Sequence, residues 1–227
     1  MSFYGLLILK GEISGIDKSE SVKYLHKSAE LENPISMFHY GNMLLKGEFV
    51  EKDTEKGIKY IKNSADSGDS NAAFQYGLIL FDGIDIPQNK KEAAIYIKKS
   101  ADDGNEEAIL KYGQMLMNGD GIQANTKEAS IYLKMLADQG NETAMCEYGL
   151  ILDESDKIEN NKKALEYIKD SASLGNAKAI VELGKKIFDT HEDVENLKKA
   201  AELFKKAADL GNSEGMLRYG SMLKIGI

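Results

Sequence analysis

Between Asn105 and Gly140 the apolar positions fall at helical spacing twice over. Ala108, Ile109, Tyr112, Gly113, Met115 and Leu116 lie mostly within one arc when placed at 100° per residue, which predicts an amphipathic helix. A second such pattern begins after Asn125 and stops at Gly140. The pair then recurs along the whole chain: Gly5, Gly41, Gly77, Gly113, Gly149, Gly184 and Gly220 follow one another at intervals of 36, 36, 36, 36, 35 and 36 residues. A fixed period of this length marks stacked helical units. The pattern predicts an all-α chain of about six 36-residue helix-turn-helix repeats.

Punctuation supports both helices of each unit. The second helix is expected to start after Asp17, Asp53, Asn89, Asn125, Asn160 and Asn196, whose short side chains can accept from the backbone two or three residues on; Glu128 stands where a capping-box acid reaches back. A small residue follows near each start (Ser21, Gly57, Ala93, Ala129, Ala164, Ala200), which lets another helix approach closely. The stops are Gly68, Gly104, Gly140, Gly175 and Gly211, each placed where a helix end takes a left-handed residue. Glu32 breaks that series; there Pro34, which cannot continue a helix, and Asn33, which tolerates a left-handed turn, are expected to compensate. The fifth unit lacks the turn glycine in Asp153-Glu154-Ser155-Asp156 and is one residue shorter, so its turn must differ.

The pattern Ala-x-x-x-Tyr-Gly-x-x-Leu, a loop glycine such as Gly47, Gly83 or Gly119, then Lys-Glu-Ala-x-x-Tyr and Ala-x-x-Gly-Asn resembles the Sel-one-like repeat (SLR) across the whole chain. That family is a helical relative of the tetratricopeptide repeat. The resemblance implies an α/α right-handed superhelix, a solenoid whose first helices line a concave surface used to assemble protein complexes. Residues 1–227 are expected to form one solenoid domain, a segment of a longer array, because Tyr4-Gly5 arrives in mid-helix and no second helix follows the seventh first helix.

Composition narrows the partners. The net charge is −8, and every one of the 29 cations except Arg218 is lysine, so bidentate arginine recognition of phosphate is nearly unavailable and nucleic acid is disfavoured. The single Cys146 cannot form an internal disulfide, which points to a reducing, intracellular and cytoplasmic setting. The apolar run Phe3 to Leu9 has no basic residue ahead of it and falls far short of the ~20 residues a span needs, so neither a signal peptide nor membrane insertion is expected.

Residues able to carry chemistry are few and scattered. Ser221 and Lys224 match the S-x-x-K of β-lactam-interacting enzymes, an activity attributed to members of the similar family. With 16 serines, about two such matches arise by chance, and no Ser-Asp-Asn or Lys-Thr-Gly accompanies this one. Asp189, His191, Asp193 and Glu195 can converge on a metal, but the calcium-loop glycine is absent and an acidic helix connection explains them. His26 and His39 belong to different helices and suit a surface or groove. Cys146 takes a position held elsewhere by Phe38, Phe74, Leu110, Val181 and Leu217, hence a packing position. Asn141 opens a formal glycosylation acceptor but belongs to the recurring Gly-Asn junction. Most of the eleven tyrosines, among them Tyr24, Tyr60, Tyr96, Tyr132 and Tyr167, recur at core-facing slots. No metal, cofactor or catalytic residue is assigned, and the protein is read as a non-enzyme.

What varies between units is one stripe of the first helices, six and two residues before each marker glycine and one after it. It reads Asn71, Glu107, Thr143 and Lys178; then His39, Gln75, Lys111, Glu147, Glu182 and Arg218; then Asn42, Leu78, Gln114, Leu150, Lys185 and Ser221. Placing the apolar arc inward leaves this stripe exposed, as the surface for a protein or peptide partner: an extended peptide or a helix, with leucines as anchors and charges setting register. The competing reading is a hydrolase or small-molecule binder of the β-lactam-interacting type. At the ends Phe3, Tyr4, Leu7, Ile8 and Met216, Leu217, Tyr219, Met222, Leu223 have no capping neighbour, so either the array continues beyond them or, as the alternative, copies stack end to end. Purified protein should not turn over chromogenic esters, phosphates or a β-lactam; turnover abolished by Ser221→Ala would overturn the non-catalytic reading.

Overall fold

A computed structural model describes residues 1–154, 158–189, 193–224 and 226–227. Among these residues there are thirteen α-helices and no strand. Their contacts sort them into two compact units, 1–125 and 126–227. The first unit holds α1 (Ser2–Lys10), α2 (Ser21–Glu30), α3 (Pro34–Lys46), α4 (Thr54–Asp66), α5 (Ser70–Asp82), α6 (Lys90–Asp102) and α7 (Glu106–Asn118), with a 3-10 turn over Lys18–Glu20. The second holds α8 (Thr126–Asp138), α9 (Glu142–Asp153), α10 (Ile158–Ser173), α11 (Ala177–Asp189), α12 (Val194–Asp209) and α13 (Ser213–Lys224). Within each unit, helices adjacent in sequence pack together, as a helical repeat solenoid requires.

Within each unit an odd-numbered first helix pairs with the even-numbered helix after it, as α1 with α2, α3 with α4, α5 with α6, α9 with α10 and α11 with α12, and the pair runs antiparallel. In α3 and α4, Gly57 near the start of α4 meets Leu45 near the end of α3, while Ser64 Oγ near the end of α4 donates to the Pro34 carbonyl that opens α3 (2.7 Å). The marker glycine sits at the crossing. A Cβ on Gly77 would lie 2.5 Å from Ile97 Cγ1, and one on Gly41 would lie 2.9 Å from the Gly57 carbonyl oxygen. The small residues near the second-helix starts are fully buried: Ser21, Ala93, Ala129, Ala164 and Ala200 have no exposed surface. Beside them runs a recurring large apolar slot, Leu25, Ile61 and Ile97 in the first unit, and Leu133, Ile168 and Phe204 in the second, each at most 1% exposed.

Two tyrosines close several of the crossings, while the α11–α12 pair has Leu183 and Leu203 at those slots. Tyr40, Tyr76 and Tyr112 on first helices are buried, and the second-helix tyrosine meets its partner edge to face: Tyr40 with Tyr60 at 5.3 Å, Tyr76 with Tyr96 at 4.8 Å, Tyr148 with Tyr167 at 5.1 Å between centroids. The second-helix hydroxyl then donates one repeat back, Tyr96 to Asp66 (2.7 Å) and Tyr167 to Asp138 (2.6 Å). That acceptance, together with burial, pushes the Tyr167 phenol up to about 12.

Three local expectations change. Gly68, Gly104, Gly140, Gly175 and Gly211 all have positive φ, but in the broken series it is Glu32 itself that goes left-handed (φ 58°). Asn33 stays extended and caps α3 by accepting from Ser36 N (3.0 Å). Asn160 and Asn196 do not cap: α10 and α12 begin two residues earlier, and the N-cap of α12 is Asp193, which accepts from Asn196 N (2.7 Å). A helix starts at the first side chain able to satisfy its free N–H groups, and Asp193 comes before Asn196. The fifth-unit connection through Ser155 and Asp156 lies outside the described residues.

Two substitutions should move stability in opposite directions in urea unfolding followed by circular dichroism. Gly77→Ala gains ~1 kcal/mol of helix propensity but overpacks the crossing by ~1–3 kcal/mol, so a net loss of about 1 kcal/mol is expected. Glu32→Gly removes left-handed strain of ~1–2 kcal/mol against ~0.4–1 kcal/mol of added unfolded-state freedom, so stability should rise by up to about 1.6 kcal/mol. A loss at Glu32→Gly would show that the turn is not strained.

Candidate functional site

The first-helix stripe is held in place by caps that the periodicity did not reveal. The Gly-Asn junction supplies them: Asn105, Asn141, Asn176 and Asn212 each accept from the backbone N–H three residues on (2.8–2.9 Å), as Asp69 does for Ala72. Asn141 is thus engaged inside the fold by its side-chain oxygen.

In the first unit Asn71 and Glu107 are exposed, whereas His39, Asn42, Gln75, Leu78, Lys111 and Gln114 are half-buried. Neighbouring first helices touch through them. Gln75 Nε2 donates to Asn42 Oδ1 (2.6 Å), Asn42 Nδ2 donates to the Phe38 carbonyl (3.1 Å), and Asn105 Nδ2 donates to Asn71 Oδ1 (3.1 Å). The Lys111 ammonium stands 3.6 Å from the centre of the Phe81 ring, and the Lys90 ammonium, 4.8 Å from the same centre, also binds Asp120 (2.8 Å). Such contacts contribute ~0.5–1 kcal/mol where solvent reaches them. The His39 imidazole is held below its ordinary pKa chiefly by burial, with Lys10 adding to the effect and Asp69 opposing it. A cavity of about 490 Å³ opens in front of it.

In the second unit the stripe is a charge network. Thr143, Leu150, Glu182, Lys185 and Arg218 are half-buried and Lys178 is exposed. Glu147, expected to be exposed, is buried at 9%, because the Lys178 ammonium of the next first helix covers it and reaches both carboxylate oxygens (3.1 and 3.2 Å). Lys185 bridges Glu182 (2.8 Å) and Glu214 (2.7 Å), and Arg218 Nε donates to Glu214 (3.0 Å). These cations hold the Glu214 carboxyl below the usual carboxylate range. Leu150 packs against the buried cluster of this unit, so it is an anchor for the fold as much as for a ligand.

The chemistry-bearing candidates are placed by packing. Ser221 Oγ donates to the Leu217 carbonyl (2.9 Å), an i−4 backbone bond. Cys146 is 1% exposed, and desolvation pushes its thiol up to about 12, far from a nucleophile's range. His26 stacks on Tyr40 (4.5 Å) and faces Glu30 (3.5 Å), in the slot where Lys62 and Lys98 lie over Tyr76 and Tyr112. Of the acidic connection, His191 lies outside the described residues, Asp193 is a helix cap, and Glu195 pairs with Lys199 (2.7 Å). Among the described residues no group of three or more His, Cys, Asp or Glu side chains is arranged to hold a metal, and no helix is long and apolar enough to cross a membrane. At the two ends Phe3, Tyr4, Met216, Leu217 and Leu223 are exposed, while Ile8 and Met222 are buried.

Against known proteins, the profile of the Sel1 repeat matches residues 1–33, 34–69, 70–105, 106–141, 143–176 and 190–212. Two of the solved structures that share the fold show what it resembles. One is a protective antigen present in uropathogenic Escherichia coli strains and displaying an SLR fold, with 24% identity and a TM-score of 0.85 over 97% of this chain. The match spans 48% of that protein, so this chain is about half its length. The other is a Sel1 repeat protein from Oxalobacter formigenes, with 25% identity and a TM-score of 0.83 over 99% of this chain and 88% of that one. No curated protein sequence matches the chain.

The Glu147–Lys178 pair can be separated from its neighbours by stability measurements. Lys178→Ala leaves a carboxylate of which only 12% of the side chain is exposed without its cation, and should cost about 1–2 kcal/mol. Adding Glu147→Gln should restore much of that loss, since a neutral amide is less costly to bury. A double variant no more stable than Lys178→Ala would show that the carboxylate was never dependent on the lysine.

Proposed function

The chain belongs to the Sel1 repeat family, whose members are generally non-catalytic protein-interaction scaffolds, and from that membership we propose that it is itself a scaffold or adaptor that binds a protein partner along the first-helix stripe. One observation carries the reading: the positions that recur at each period are taken up by packing or capping, while the variable positions gather on one face of the first helices. Gly77 and Ala93 are consumed by the crossing, Tyr76 and Tyr96 by their ring contact, and Asn105 by its cap. Residues left free to differ from unit to unit, such as Asn71, Gln75, Glu107 and Lys111, can be tuned to a ligand without disturbing that frame. The partner is a peptide or helix; the net charge of −8 disfavours nucleic acid, and a lone buried Cys146 suits a reducing cytoplasm.

An enzymatic role has little to stand on, because Ser221, Cys146 and His26 are all engaged within the fold. Glu107→Lys together with Asn71→Arg changes two exposed stripe positions and should alter stability by no more than ~0.5 kcal/mol each. Proteins captured from a native lysate should fall away for this variant relative to the unaltered chain, as read by quantitative mass spectrometry. Identical captures would move the binding surface to the second helices.

A further inference from the structure

The cavity in front of His39 lies between α1, α3 and α5, and apart from the charged Lys46 and Glu48 it is lined by two kinds of side chain. Leu9, Phe38 and Met43 form an apolar part; His39, Asn42 and Gln75 form a polar part. The polar groups have one property in common, which is that none carries a charge at neutral pH. Asn42 and Gln75 are amides, locked across α3 and α5 by the 2.6 Å bond between them. That bond and the one from Asn42 to Phe38 leave the Gln75 carbonyl oxygen and one N–H of each amide to a ligand. His39 has a ring contact with Phe38 but no hydrogen bond, and burial keeps its imidazole neutral, with one donor and one acceptor. Neutral groups that each both donate and accept match a peptide unit, which presents one N–H and one C=O. They do not match a bare carboxylate or phosphate.

Charged groups of both signs stand around the cavity. Lys46 lines the cavity, and Lys10, close enough to act on His39, occupies the last turn of α1 as Lys46 does that of α3. Among the described residues neither lysine has an ion-pair partner; Glu48 lines the same cavity, and the Asp69 carboxylate acts on His39 with the opposite sign to Lys10. In a chain of net charge −8, two ammonium groups that no described carboxylate pairs with, beside the carboxylates of Glu48 and Asp69, offer an acidic side chain a partner at the lysines.

We propose that this cavity is the docking subsite for an extended partner segment in which an apolar residue stands next to an acidic one. The apolar side chain rests on Leu9, Phe38 and Met43. The segment's backbone pairs with the Asn42 and Gln75 amides. The acidic side chain turns toward Lys10 and Lys46. This rests on the scaffold reading and adds the local chemistry of the partner to it.

A phage-displayed library of random peptides selected against the whole chain tests it, with the selected sequences resynthesised and their binding measured by fluorescence anisotropy. The selected peptides should carry a large aliphatic or aromatic residue beside Asp or Glu. Their affinity should fall about tenfold or more for Asn42→Ala combined with Gln75→Ala, and by a similar factor for Lys46→Glu, an exposed change that leaves the fold intact. A peptide whose acid is replaced by lysine should recover affinity on the Lys46→Glu protein. A basic consensus, or binding indifferent to both variants, overturns the proposal. Peptides that respond only to substitutions on α9, α11 or α13 overturn this subsite and leave the scaffold reading in place, whereas peptides that respond to no first-helix substitution overturn both.

Discussion

The close approach of two helices within each repeat is the constraint on which the other contacts depend. Where Gly77 faces Ile97 and the Ala93 carbonyl, or Gly149 faces Ile168 and the Ala164 carbonyl, a single added carbon would force the pair apart. At the observed separation the tyrosines of both helices meet edge to face, which a wider crossing would forfeit. The same separation brings serine hydroxyls at the end of the second helix onto the carbonyl that opens the first: Ser64 to Pro34, Ser100 to Ser70 and Ser171 to Glu142. These bonds satisfy hydroxyls that have no exposed surface, so the crossing also removes the cost of burying them. Glycine at one position thereby sets both the apolar and the polar contacts of a repeat.

Much of this was legible in the sequence because the signals are local and repeated. Small residues at two fixed slots, glycine at helix ends and a 36-residue interval specify the helix pair without any knowledge of distant contacts. Local signals also explain the misses. Whether Asp193 or Asn196 opens α12 depends on which one the chain reaches first, not on the repeat register. Whether Glu32 or Asn33 turns left-handed depends on the need of α3 for a cap, which Asn33 alone can supply.

The candidate surface was legible as a face but not as a surface. Helical periodicity places His39, Gln75, Lys111 and Glu147 at one angle around their helices, and the structure keeps them there. Periodicity is silent about the neighbouring first helix some 31 to 33 residues away, which supplies Lys178 to Glu147 and Gln75 to Asn42. The result is a face already partly satisfied by its own neighbours, where Glu147 is buried while Asn71 and Glu107 remain open. The serine-to-carbonyl bonds went unread in the sequence, although the recurring Ser-Ala at Ser64, Ser100 and Ser171 is a signal that could have found them.

The reach of each bond along the chain bears on how such an array changes length over generations. Gly77 with Ile97, Tyr76 with Tyr96 and Ser70 with Ser100 all close within one stretch of about 36 residues, so a duplicated stretch carries its own closure with it. The seam is less forgiving: Tyr96 needs Asp66, Lys99 needs the Ala65 carbonyl, and Tyr167 needs Asp138, each supplied by the stretch before. A copy inserted next to a repeat ending in Ala-Asp meets a ready acceptor, whereas one inserted after Ala29-Glu30 meets a longer carboxylate that faces His26 instead. Unequal exchange between the Ala-Asp repeats therefore keeps this acceptor at the seam, although contacts of the variable residues such as Gln75 with Asn42 would have to be matched anew.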